Sequence, residues 1–493
     1  MAVEILAGVV LVIVGIAVHD LLQRQHTILR NFPVIGHLRY LLEAIGPELR
    51  QYIVTDNDEE RPFTRDQRSW VYASAKEQNN YFGFGTDNEL EQSPGYLIIR
   101  HSAFPLHSPH PGDPDHDPQY PLPCRKRLGE ARGRAKAFCP TSVINVSAMS
   151  YGALSGKAIE ALNRGSRLAG CLHNTGEGGV SPYHLSGGDL MWQIGTGYFG
   201  CRKLEGGFSM EKLCETVESH ACIRAIEIKL SQGAKPGAGG ILPQAKITPE
   251  IATIRGVPMD RDVISPAGHS AFSGVDGLLD FVEQIADETG LPVGIKSAVG
   301  QLDFWRQLAQ RMRATGRGVD FITVDGAEGG TGAAPLVFSD SVAMPFKQGF
   351  SEVHGIFCQQ GIADQVVFIG SGRLGFPAAA IMAFALGCDM VAVAREAMLA
   401  LGCIQAQRCH TNRCPTGVAT QKRWLARGLD PALKSVRLAH YIRALRKDLL
   451  SVAHACGVEH PADIGPHRLE LLDDHFGHRS VAEVFGIEPA NPM

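Results

Sequence analysis

The 493-residue sequence predicts an α/β fold: a (β/α)8 TIM barrel with an N-terminal membrane anchor and helical extensions. Three observations carry this expectation. From residue 142 onward, short apolar runs alternate with amphipathic stretches of helical period; glycine-rich turns follow the runs; and an uncharged apolar stretch lies near the start. The length agrees, since it allows about three ordinary domains or one large barrel with appendages.

The composition is that of an ordinary folded chain, with 44% hydrophobic and 20% charged residues. Its 47 basic and 51 acidic residues sum to a net charge of -4, which excludes a disordered polyelectrolyte and leaves no global footprint for nucleic acid. Glycine is abundant at 55 residues, favouring a backbone that bends sharply or approaches a ligand closely. The twelve cysteines are scattered except between Cys403 and Cys414, so they read as mostly buried thiols in a reducing compartment.

Residues 1–22 are the expected transmembrane anchor. The run ILAGVVLVIVGIAV over 5–18 is free of charge and extends to Ala2 if Glu4 reaches the interface, near the lower end of the roughly 17–25 residues that cross a bilayer. A signal peptide and a buried helix are the alternatives, but no A-x-A site ends the run. Arg24, Arg30 and Arg39 follow it, which places the rest of the chain on the cytoplasmic side.

Residues 23–140 read as a mixed helical and irregular region interrupted by Pro33, Pro47 and Pro62. Within it, 102–123 is rich in Pro, His and Asp and reads as a solvated extended loop. A metal held by His107, His110 and His116 around Asp113 is the alternative.

Eight strands are predicted over 143–148, 170–174, 225–230, 262–265, 292–296, 320–324, 365–369 and 390–394, with helices over 155–168, 275–289 and 376–386. The barrel occupies 141–425, and 426–493 forms a helical extension with a long helix over 431–456 and a final helix pair. In such a barrel the C-terminal strand ends open on one face, where active sites sit. The turns SAMSYG from Ser147, NTGEGG from Asn174, SQGAKPG from Ser231, DGAEGGTG from Asp325 and GSGR from Gly370 all fall there. Glycines in the sixth and seventh turns let backbone N–H groups converge on a phosphate, and flavin mononucleotide (FMN) is the ligand such a set suits. Lys296 ends an apolar strand and points to the barrel mouth. There it serves either as a fixed cation for an anionic reduced flavin or as half of a structural ion pair.

The segment Cys403-x5-Cys409-x4-Cys414-Pro415 cannot be one straight helix, because its second cysteine would lie about 240° around the axis from the first. It must wrap. Three thiolates with a following proline suit an iron–sulfur cluster of three irons and four sulfides (3Fe-4S). Zinc on the same cysteines plus His410 is the alternative, as are three buried thiols.

The motifs SAMSYGALS, NTGEGG, KLSQGAKPGAGGILP, the ISP turn at Ile264, GGTGAAP, GSGR and CxxxxxCHxxxCPTGVATQ, in this order, resemble the synthase domain of glutamate synthases over about residues 140–425. The resemblance implies an FMN barrel with a three-iron cluster on Cys403, Cys409 and Cys414. It implies FMN contacts from Gln193, Lys296, Gly330, Thr331, Gly370, Gly372 and Arg373, and their turn neighbours Ser147, Met149, Gly329 and Ser371 complete the candidate set. It further implies that Glu177, Gln232, Lys235 and Arg255 handle 2-oxoglutarate and its imine. That suits the chemistry, since a dicarboxylate needs fixed cations and imine formation needs a proton-transfer group. Glu177, Lys235 and Lys296 are the candidate catalytic groups.

Two departures stand out. Ala327-Glu328 replaces a His-Asp pair usual before Gly-Gly-Thr-Gly, and the chain starts Met1-Ala2-Val3 rather than with a catalytic cysteine, so neither the family's glutaminase domain nor its long C-terminal domain is expected. The expected activity is reduction of an iminoglutarate, formed from 2-oxoglutarate (or a related 2-oxo acid) and ammonia, to L-glutamate or a related amino acid. An electron donor protein or reductase subunit would supply electrons, and a separate amidotransferase could supply ammonia. The alternatives are a membrane-tethered electron-transfer subunit acting on another substrate, including N-alkylamino acid synthesis, and a zinc-stabilised binding module.

Overall fold

The computed structural model describes residues 1–23, 25–55, 59–203, 205–475 and 477–487. The chain divides into two compact units, Met1–Arg68 and Ser69–Met493.

In the first unit the apolar run forms one helix, Ala2–Leu22, whose 21 residues rise about 32 Å at 1.5 Å each, enough for a hydrocarbon core of about 30 Å. Nearly all of its side chains are exposed; Asp20 is buried. Asp20 accepts hydrogen bonds from the Val34 amide (2.9 Å) and pairs with His37 Nε2 (2.9 Å), fastening the end of this helix to the next segment. Helix Gly36–Leu49 then carries Leu38, Leu41, Leu42, Ile45 and Leu49, all exposed, at the spacing of one helical stripe.

In the second unit eight parallel strands close a barrel in chain order: β1 (Ile144–Val146), β2 (His173–Asn174), β3 (Leu190–Ile194), β4 (Ile223–Lys229), β5 (Val293–Ser297), β6 (Phe321–Asp325), β7 (Val367–Ser371) and β8 (Met390–Val393). Closure is the pairing of Val391 with Ile144. The predicted count holds, with one exchange. Residues 262–265 are not a barrel strand: Val263–Ile264 pairs antiparallel with Ile241–Leu242 in an excursion between β4 and β5. The missing strand is β3, LMWQI, whose five residues are all buried. A glutamine and a tryptophan interrupt its apolar pattern, and its preceding Gly187-Gly188-Asp189 reads as loop.

Alternate residues of a strand face one side, so the barrel interior fills in layers. Met191, Ala225, Phe321, Val367, Ile369 and Met390 form an apolar floor, sealed by Cys124, Leu128 and Phe138 from the segment ahead of the barrel. Two residues further along the strands, the side chains are polar: Gln193, Glu227 and Thr323. Two further still, they are charged: Lys229 and Asp325.

The 25-residue helix Pro431–Ala455 is N-capped by Asp430, whose Oδ1 accepts from the Ala432 amide at 3.0 Å, and packs along helix Gly156–Ala169. Gly165 permits this approach, since a Cβ there would lie 2.7 Å from Leu438. The expected final helix pair is not formed. Strand Leu469–Leu472 pairs antiparallel with both Leu97–Ile99 and His478–Ser480, and one short helix, Val481–Phe485, follows. Alternating Leu469 and Leu471 fit a strand as well as a helix, which is why the local pattern misled. The Pro-rich 102–123 run is irregular, and Asp113 accepts from the His110 amide (2.7 Å) and pairs with His107 (3.1 Å), a local turn.

Candidate active site

The C-terminal strand ends surround one cavity. Ser147 and Met149 line it from the turn after β1, and that turn is pinned from behind, because the Ser147 amide donates to Val393 O (2.9 Å) and His184 Nε2 meets Met149 O (3.0 Å). Burial holds the His184 imidazole neutral, with its pKa pushed down to about 4, so it acts here as a fixed support.

Glu177 enters from the turn after β2, and two glycines make room for it: a Cβ at Gly240 would lie 2.4 Å from Glu177 Oε1, and one at Gly195 would lie 2.8 Å from its side chain. Its carboxylate pairs with Lys229 at 3.0 Å. Burial acts to raise its pKa, but Lys229, Lys235 and Arg255 together outweigh that and hold it below the usual value. Lys229 also donates to Gln232 Oε1 (2.6 Å). Lys235 donates to Ala333 O (3.2 Å), and burial lowers its pKa to about 8. Arg255 is fully enclosed, donates from Nη2 to Tyr151 O (2.8 Å), lies over the Phe199 ring at 5.2 Å and is lowered by burial to about 10. Gly178 clears its space, since a Cβ there would lie 2.7 Å from Nη2.

Deeper in the mouth, Lys296 pairs with Asp325 at 3.6 Å, both nearly enclosed. Asp325 also accepts from the Gly233 amide at 2.9 Å. Gly233 is obligatory there, because any Cβ would meet Gly326 O at 1.7 Å. Beneath them Glu227 accepts from Asn174 Nδ2 (2.7 Å), Gln193 Nε2 (2.6 Å) and Thr323 Oγ1 (2.6 Å). The far wall is Gly329, Gly330 and Thr331 from the sixth turn and Ser371, Gly372 and Arg373 from the seventh, where Gly372 (φ +133°) and Arg373 (φ +57°) turn the chain sharply.

Six basic and three acidic side chains line the cavity, an excess that suits anionic ligands such as a nucleotide phosphate and a carboxylic acid. Of the expected contacts Gly370 alone among the glycines stands behind the wall: a Cβ there would meet Leu374, Phe346 and Cys388, so it serves packing. Glu328 also turns away, accepting from the Phe346 amide at 2.8 Å.

The cysteine segment follows helix Arg395–Leu401 and wraps through three residues of positive φ, Gln405, Gln407 and Asn412. Cys409 lines the cavity, Cys414 is buried and Cys403 is partly exposed, with its carbonyl accepting from Tyr72 Oη at 2.7 Å. Asn412 ties the loop to Ala245 O, and next to it buried Lys246 donates to Ala153 O at 2.6 Å and lies electrostatically against Cys409 and Cys414. Among the described residues, the trio of potential metal ligands gathered within 4.8 Å is Asp473, Asp474 and His475 at the surface.

Sequence reasoning missed Lys229, Glu227, Asp325 and Lys246. Lys229 ends its strand as Lys296 does, and Glu227 is a lone carboxylate in the apolar run AIEIKL, so both carried a signal.

A family model described as a conserved region in glutamate synthase matches residues 134–459. The chain belongs to the glutamate synthase family. A glutamate synthase large subunit-like protein, YerD of Bacillus subtilis, is 38% identical over 93% of this chain and 92% of its own length. An archaeal glutamate synthase [NADPH] of Methanocaldococcus jannaschii is 33% identical over 70% of this chain, which spans 65% of that protein's length. A ferredoxin-dependent glutamate synthase of Cyanidium caldarium is 32% identical over 58% of this chain and 19% of its own length. This glutamate synthase-family chain is an oxidoreductase of the class acting on CH-NH2 donors.

Proposed function

We propose that this oxidoreductase binds FMN and a 3Fe-4S cluster and forms L-glutamate, or a related amino acid, from 2-oxoglutarate or a related 2-oxo acid and ammonia. The observation that carries the reading is Glu177 ringed by Lys229, Lys235 and Arg255, in the same cavity that Lys296 and Cys409 line. Bound FMN supplies a hydride equivalent to the imine carbon.

The chain's own residues do the rest. Lys235 and Arg255 hold the substrate carboxylates, with Lys229 and Gln232 as a paired support. Glu177 accepts a proton as ammonia adds to the oxo carbon and returns one as water leaves, and the product nitrogen takes its last proton from the same enclosed site. Lys296, backed by Asp325, keeps a positive charge where the reduced ring gains negative charge. Gln193, Gly329, Gly330, Thr331, Ser371, Gly372 and Arg373 hold the nucleotide, with Ser147 and Met149 opposite. Cys403, Cys409 and Cys414 hold the cluster.

Two relatives are named for different donors, NADPH and ferredoxin, so the donor is assigned only as a carrier protein or reductase subunit. A separate amidotransferase is one source of ammonia. Ala2–Leu22 anchors the protein in a membrane with the barrel on the cytoplasmic side, and the exposed stripe of Gly36–Leu49 lies in the interface.

The test is purification followed by denaturation, iron analysis and turnover. The reading expects a yellow flavin with one phosphate, about three irons, and glutamate from 2-oxoglutarate, ammonia and a chemical reductant. Colourless zinc protein, or FAD in place of FMN, overturns it.

A further inference from the structure

The chain ahead of the barrel follows one stripe of the long helix Pro431–Ala455. Glu77 pairs with His440 (3.3 Å), Tyr81 Oη accepts from Lys447 (3.3 Å), and Ser108 Oγ meets His454 Nδ1 (2.8 Å). These helix partners recur every seven residues, almost two full turns, so they share one face. The helix starts beside the cysteine loop, where a Cβ on Gly402 would lie 3.1 Å from Lys434 Nζ. It ends at the closed side of the barrel, where Arg446 donates to Ala169 O (2.9 Å), just ahead of β2.

Around that closed side, large apolar side chains stand out into solvent. Phe82 is 56% exposed, Phe104 87% and Phe84 entirely, with Tyr81 beside them. Phe84 adopts φ +73°, a left-handed backbone that a bulky residue avoids, and an added Cβ on either neighbour, Gly83 or Gly85, would meet no atom within 4 Å. A fully exposed ring gains nothing from the fold, so this conformation points to something outside the chain. Asp87, Glu89 and Glu91 follow the tip and Lys447 lies beneath Tyr81, so the patch carries no basic excess for an anionic surface and its recognition is apolar. Two observations select the occupant. Separate rings on a glycine-flanked loop can each enter a fluid phase, whereas a protein partner would need pockets shaped to them. In addition, Tyr81 follows by twelve residues Ser69, where the second unit begins, and Ser69 is joined in one chain to the apolar helix Ala2–Leu22. An anchored protein therefore presents this loop to the bilayer at high local concentration.

We propose that Tyr81, Phe82, Phe84 and Phe104 insert into the interface of a zwitterionic bilayer, holding the closed side of the barrel to the membrane and turning the cavity mouth toward the aqueous side. The proposal rests on the reading that Ala2–Leu22 is a membrane anchor. Aromatic rings are well matched to the headgroup depth, and the Tyr81 hydroxyl with Lys447 stays in the wet layer. The bilayer then fixes the orientation of the catalytic unit as well as its location.

The experiment uses the full chain carrying Phe84→Trp or, separately, Phe82→Trp, reconstituted sparsely in phosphatidylcholine vesicles. Emission of the added indole, taken as the difference from wild type, should lie at shorter wavelength than that of an indole in water and fall by at least half when the acyl chains carry bromine. Adding phosphatidylserine or high salt should change neither result. Thermal unfolding like that of the wild type shows that the substitutions leave the fold intact. Indoles at both positions that emit as in water and escape the bromine overturn the proposal. So does shielding that disappears on dilution in the bilayer, which would assign the patch to a second copy of the chain. Alkaline extraction of wild-type protein from membranes tests the anchor by itself: release into the supernatant refutes the anchor, while bromine quenching on excess vesicles still reads the patch.

Discussion

Lys229 and Lys296 are register partners on neighbouring strands β4 and β5, yet each turns to a different carboxylate, Glu177 at 3.0 Å and Asp325 at 3.6 Å. Two adjacent buried ammonium groups would repel strongly in a poorly solvated site, and the two carboxylates separate their duties. One pair faces the proposed substrate end and the other the proposed flavin end. Glu177→Gln should therefore lower kcat by about 10²–10⁴-fold while leaving flavin content unchanged. Steady-state kinetics beside the visible spectrum check this; equal loss of flavin and activity would assign Glu177 to the fold instead.

Lys235 gives a pH signature. Its pKa of about 8 lies below the ordinary lysine value, so its charge is complete well below pH 8 and lost above it. If that charge holds a substrate carboxylate, KM should rise as pH climbs through the region above 8, displaced upward somewhat because the bound carboxylate favours the charged form. Lys235→Arg should flatten this alkaline limb, as guanidinium keeps its charge. An unchanged limb in the variant would rule out Lys235 as its origin.

Glu227 accepts three hydrogen bonds inside the barrel, from Asn174 and Gln193 at the same oxygen, Oε2, and from Thr323 at Oε1. Glu227→Leu removes the oxygen to which both buried amides donate, and should cost roughly 2–4 kcal/mol and release the Gln193 side chain. Chemical denaturation measures the first effect, and weaker flavin retention reports the second.

Lys246 is buried against Cys409 and Cys414. A fixed positive charge favours the reduced, more negative form of a cluster, so Lys246→Met should shift the cluster potential to more negative values. Lys246→Arg should restore it. Spin-resonance redox titration decides, and an unmoved potential would remove Lys246 from any electrostatic role.

Much of the barrel was legible because parallel strands covered on both faces read as apolar runs, and because glycine turns mark the face where ligands bind. β3 was illegible for the same physical reason that makes it useful. A strand that supplies Gln193 to the polar layer breaks its own apolar pattern. Val263–Ile264 was misassigned because a two-residue ribbon and a barrel strand look alike over so short a run, and only pairing distinguishes them. The charge network was half visible: residues inside recognisable turns, such as Lys235, announced themselves. Lys246 sits in a single turn of 3-10 helix, Gln244–Lys246, and acquires its meaning from a loop more than 150 residues away.

The small sheet of Leu97–Ile99, Leu469–Leu472 and His478–Ser480 joins sequence ahead of the barrel to sequence behind it. A protein shortened to end after Ala455 would keep the full barrel and its long helix, but Leu97–Ile99, already an edge of this sheet on one side, would lose Leu469–Leu472 on the other and leave a second row of N–H and C=O groups unpaired. Such an edge is a template for pairing with another molecule. The C-terminal tail thus guards against self-association, and the smallest form of this protein that stays monodisperse should extend well past the last residue of its catalytic barrel.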